Sequence, residues 1–141
     1  MSTGTWEPGG TVLPDSEDLL AAAALWRELG GGEPSAEVLE EALASPLRER
    51  LRAAMQAPRG ALEETIAGLD VASAEQLVRL FTVLEALPGF EAGARSPVIP
   101  LARHLKTQLD GEAFAELVRW VRAHTENRFI PHGSLQDRLR A

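Results

Sequence analysis

The chain has 141 residues, a length that one domain fills and at which roughly 68 to 70% of the unfolded chain's surface is buried on folding. It contains no cysteine, which excludes disulfides, thiolate nucleophiles, iron–sulfur ligation and cysteine-based zinc sites, and no run approaches the ~18 uninterrupted apolar residues of a membrane span. The net charge of −7 is uneven: residues 1–94 carry 6 basic and 16 acidic side chains, whereas residues 95–141 carry 8 basic and 5 acidic ones, so a basic third is joined to an acidic remainder.

Residues 1–14 lack the basic start and apolar run of a secretory leader, and the expected location is the cytoplasm. They are rich in Gly, Pro and Thr without either period and read as a flexible arm. Trp6 is either folded back on the domain or an anchor for a partner. Beyond the arm Leu and Ala predominate, Tyr is absent and β-branched residues are few, which favours helix over sheet. The expected fold is all-α, a compact bundle of five to seven helices spanning 15–125. An extended segment, 126–141, follows it, with one short turn near Ser134 and Asp137.

The first helix is expected to start at Asp15 or Ser16 and to face Leu19, Ala22, Ala23, Trp26 and Leu29 inward, ending at Gly30-Gly31-Gly32. Ser35 opens a second, with Val38, Leu39, Ala42 and Leu43 as its stripe. Pro46 suits the first turn of a third, carrying Leu47, Leu51, Ala54 and Met55 until Pro58. Leu62, Ile66 and Leu69 mark a short fourth, weakened by Gly60 and Gly68. Ser73-Ala74-Glu75-Gln76 reads as a capping box opening the most apolar helix, which leaves Glu75, Arg79 and Thr82 to water and belongs at the centre. The tripeptide Ser-Ala-Glu also occurs at Ser35, but the following segments do not match, so both are ordinary helix starts. After the irregular stretch 89–95, Ser96-Pro97 begins a helix with Val98, Leu101, Ala102, Leu105 and Leu109 inward. Asp110-Gly111 turns the chain into a last long helix with Phe114, Leu117, Val118 and Val121 inward, fraying near His124.

No catalytic or cofactor motif is present, and neither a cofactor nor a metal is expected. G-x-S-x-G is missing, and Ser96 and Ser134 are accounted for as helix caps. His124, Glu126 and His132 lack the i, i+4 spacing of a helical zinc site. Gly93-Ala94-Arg95-Ser96 suggests an anion cradle at a helix start, but Pro97 and Pro100 remove two of its donors. Glu40-Glu41 and Glu63-Glu64 are sequence neighbours that diverge by ~100° on a helix and cannot share a proton.

The features left over lie in the basic third. Arg103 with Lys106 and Arg119 with Arg122 are each three apart and so share a side of their helix. Ile99 projects with the first pair, and Phe90 and Arg95 lie in the loop before it. Asn127, Arg128 and Phe129 extend the same apolar-and-basic surface. The expectation is a non-catalytic interaction module that uses these residues to bind an acidic or amphipathic protein segment, or to pair copies of itself. DNA or RNA binding through the helical hairpin 97–125 is the alternative. Glu112 and Glu116, the lack of base-reading side chains and the net negative charge stand against it.

Overall fold

A computed structural model describes residues 12–30, 35–58, 60–125 and 127. Among these the chain is all-helical: α1 (Ser16–Glu28), α2 (Ala36–Ala42), α3 (Leu47–Met55), α4 (Glu63–Ala67), α5 (Val71–Leu84), α6 (Val98–Lys106) and α7 (Gly111–His124). A 3-10 turn, Gly93–Arg95, precedes α6. Trp6, Arg128, Phe129, His132 and the turn expected near Ser134 lie outside the described residues.

Local capping chemistry sets where α1, α2, α5 and α7 begin. Asp15 accepts from the Asp18 N–H at 2.9 Å while the Asp18 carboxylate accepts from the Asp15 N–H at 3.1 Å, a reciprocal box at the start of α1. Ser35 caps α2 and Asp110 caps α7, each through the N–H three residues on. Beyond α1, Gly30 takes φ +116°, a conformation open to glycine that turns the chain away from the helix axis. Pro14 is buried and Leu13 packs on the core, so contact with the bundle begins just before the residue where α1 was expected to start.

α5 is the central element, in contact with α1, α2, α6 and α7. Its start differs from expectation. The cap is Asp70, whose carboxylate accepts from the Ser73 N–H at 3.0 Å; Ser73 is buried inside the first turn. Gln76 therefore has no cap to reach back to, and its Oε1 is buried without a hydrogen-bond partner among the described residues. Thr82, expected at the surface, is buried, and its hydroxyl donates to the Val78 carbonyl at 2.7 Å.

The core runs from Leu19 and Trp26 through Leu51, Met55, Leu77, Phe81 and Leu84 to Leu101, Leu105, Leu117 and Val121. Trp26 is fully buried and meets Trp120 edge-on at 6.3 Å, an arrangement that suits the ring quadrupoles. Arg79 lies 5.1 Å from the Trp120 ring and His124 stacks on it, so α1, α5 and α7 are joined by one aromatic seam. Val38, expected inward, is 44% exposed because only Leu39 in the short α2 reaches the core.

Candidate functional site

Where the chain passes from α3 to α4 it faces the start of α6 across a cleft of about 400 Å³. Ala54, Ala57, Pro58 and Leu62 line one side, and Pro97, Ile99 and Pro100 the other. Pro58 stops the helical run, and Gly60, at φ +85°, makes the turn that brings Leu62 back beneath the cleft. The described lining contains two cations, Arg95 and Arg103, and one carboxylate, Glu63. Glu63, Pro100 and Arg103 also line a second depression of about 310 Å³, so the concave surface continues along the α4–α6 seam.

The positive character of this cleft comes from side chains rather than backbone. The Val98 N–H is taken by Ser96 Oγ at 3.2 Å and the Ile99 N–H by the Ser96 carbonyl at 3.1 Å. Pro97 and Pro100 contribute no N–H, so the start of α6 has no free fan of donors for an anion. Pro100 sits in the first turn and does not interrupt the helix. Arg95 donates through Nη1 to the Gln56 carbonyl at 3.1 Å, which fixes its head across the cleft and uses one of its five N–H donors. Arg103 is exposed, with no ion pair among the described residues.

Of the residues expected at a recognition surface, Arg95, Ile99 and Arg103 come together here. Arg128 and Phe129 lie outside the described residues, and the other described ones do not join the three. Lys106 is directed to α7, its ammonium 6.0 Å from the Phe114 ring. Arg119 and Arg122 are exposed on α7 along with Glu112 and Glu116, away from the cleft lining. Phe90 is 0% exposed and belongs to the core, its ring covered by Arg52 at 5.1 Å and Arg48 at 6.0 Å. A partner cannot reach it; the turn after Pro88 folds the ring inward because burying so large an apolar surface outweighs leaving it in water.

Behind the cleft lies a polar cluster that sequence reasoning did not assemble, and in it Asn127, expected to extend the recognition surface, turns to Glu85 and Gly93 instead. Glu85, at the end of α5, is 9% exposed and holds two partners. Ser96 donates its hydroxyl to Oε2, and Asn127 Nδ2 donates to Oε1 at 2.8 Å. The same amide nitrogen lies 2.8 Å from the Gly93 carbonyl. Burial pushes the Glu85 carboxyl above the ordinary range, and the Ser96 and Asn127 hydrogen bonds only partly oppose that. Ser96 was expected to cap α6, but the cap position falls on Pro97; Ser96 instead accepts from the Val98 N–H two residues on, and nothing in the local pattern marks its tie to a carboxylate on another helix.

Ser96 lines the cleft, yet it is 1% exposed and its hydroxyl is committed to Glu85 and Val98. No group of three His, Asp or Glu among the described residues is placed to hold a metal ion, and Glu126 and His132 lie outside them. Among the described residues no helix is long and apolar enough to cross a membrane. Comparison of the chain with protein-family models, with curated proteins and with solved structures gives no match.

Proposed function

We propose that this protein is a non-catalytic recognition module whose α3–α6 cleft takes an acidic, amphipathic segment of a partner protein. The observation that carries the reading is the convergence of Arg95, Ile99 and Arg103 on one apolar-floored cleft. An apolar partner side chain entering it would gain ~25 cal/mol for each Å² removed from water. Carboxylates flanking that side chain would meet two guanidiniums, whose planar forks pair with carboxylates bidentately. The open continuation past Arg103 toward His104 favours an elongated segment over a compact small molecule. With a net charge of −7 the whole molecule repels an acidic partner at long range, so recognition depends on the short-range pairs in the cleft.

Selection from a random-peptide display library tests this. Enriched peptides should carry Asp or Glu beside Leu, Phe or Trp, and Arg95→Glu or Arg103→Glu should each weaken them about tenfold or more. Enrichment of basic peptides, or binding indifferent to both reversals, contradicts the reading. Retardation of duplex DNA with steep salt dependence would point instead to a nucleic-acid regulator using the same cations.

A further inference from the structure

The wall of the cleft that carries Arg95 has little of its own to hold it. It is a 3-10 turn whose backbone bonds are Arg95 N–H to the Ala92 carbonyl and Ser96 N–H to the Gly93 carbonyl, and such short turns are weakly self-supporting. Its support comes from behind. Asn127 donates to the Gly93 carbonyl at one end of the turn, and Glu85 accepts from Ser96 at the other. Glu85 stands at the C-cap of α5, the helix most of the bundle packs against. Asn127, just past the end of α7, joins the two by donating to Glu85 as well. Both Glu85 oxygens are thus engaged, with no ion pair among the described residues to offset burying a carboxyl. An apolar residue would fill this space at lower cost but could not fix the turn in one place.

We propose that Glu85, Ser96 and Asn127 form a positioning strut that fixes the Arg95 wall of the cleft and ties it to the chain leaving α7. Its consequence for ligand binding rests on the recognition reading above; its structural part does not. Glu85 and Asn127 do not line the cleft, so they act through Arg95 and Ser96 rather than by touching a ligand. Glu85→Gln keeps an oxygen for Asn127 and an amide that can donate to Ser96, and is the conservative variant. Glu85→Ala and Asn127→Ala remove the strut.

Hydrogen exchange on the full chain reads the strut directly. In Asn127→Ala and Glu85→Ala the Arg95 and Ser96 amides should exchange about tenfold faster or more, while amides in the middle of α5 change less than about twofold. Glu85→Gln should stay within about threefold of the parent, and keeps the test alive if Glu85→Ala fails to fold. Affinity for an acidic peptide selected on the parent should fall with the loss of protection, and Glu85→Gln should restore both. Unchanged protection at Arg95 and Ser96 in Asn127→Ala overturns the strut. A loosened turn with unchanged peptide affinity overturns its role in the cleft. If the parent binds no acidic peptide, the recognition reading fails separately, and the exchange rates still decide whether the strut exists.

Discussion

Glu85 and Asp70 are carboxylates at opposite ends of one helix whose environments move their proton affinities in opposite directions. Burial raises Glu85, so between its unfolded value near 4.5 and its higher folded value the native state binds more protons than the unfolded chain. Stability from this group is fully present below the unfolded value and is lost as pH rises through the folded one. Urea unfolding across the acid range should show Glu85→Gln gaining on the parent as pH rises through that window; a constant difference would mean that Glu85 does not titrate there. Asp70 is held below its usual 3.8 by the Ser73 hydroxyl and the Ser73 N–H. Its contribution is present above the unfolded value and is lost as pH falls through the folded one, so Asp70→Asn should flatten the acid limb of the same curves. Phe90 makes a third residue-scale case. Fully buried under two guanidiniums, it should cost about 3–5 kcal/mol on truncation to Ala, seen as a lower urea midpoint. Selective loss of peptide binding without that drop would place Phe90 at a surface instead.

The helices themselves were legible wherever the signal was local. Asp15, Ser35 and Asp110 cap where a short polar side chain precedes an apolar stripe, and the inward sets of α6 and α7 match the periodicity except at Leu109, which lies beyond the end of α6 and is half-buried. The same tripeptide, Ser-Ala-Glu, caps at Ser35 but lies inside a helix at Ser73, because Asp70, three residues upstream, accepts from the Ser73 N–H and starts the helix earlier. Thr82 and Val38 went the other way for a tertiary reason: α5 is packed by α1, α2, α6 and α7 and leaves Thr82 buried, while α2 is too short to bury a full stripe. Replacing Asp110 with Ala should cost about 1 kcal/mol by urea unfolding, since the Ala113 N–H loses its acceptor. No measurable change would mean that α7 starts elsewhere in solution.

On the scale of the whole molecule, the sequence singled out one wall of the cleft and missed the other. Arg95, Ile99 and Arg103 stood out as an apolar residue among cations, a contrast visible in one segment. Ala54, Ala57, Leu62 and Glu63 did not, because nothing about two alanines and a leucine on a helix and a turn shows that they face a segment some forty residues away. The Glu85–Ser96–Asn127 strut was hidden for the same reason: each residue has an ordinary local explanation, and only the packing of α5, α6 and the end of α7 brings them into one cluster. The cleft lies between residues on and after α3, with Glu63 as their carboxylate, and the start of the basic third. A second copy of the chain could present an acidic segment to it as a partner would; association that depends on protein concentration and is abolished by Arg103→Glu would identify the occupant as self.

The most direct test is an NMR titration of the labelled full chain with a synthetic acidic, amphipathic peptide taken from the display selection. The account predicts saturable shifts confined to amides around the cleft, at Ala57, Leu62, Arg95, Ile99 and Arg103, and their disappearance in the Arg95→Glu, Arg103→Glu double variant. Shifts centred on Arg119 and Arg122 of α7, or no saturable shifts at all, would contradict it.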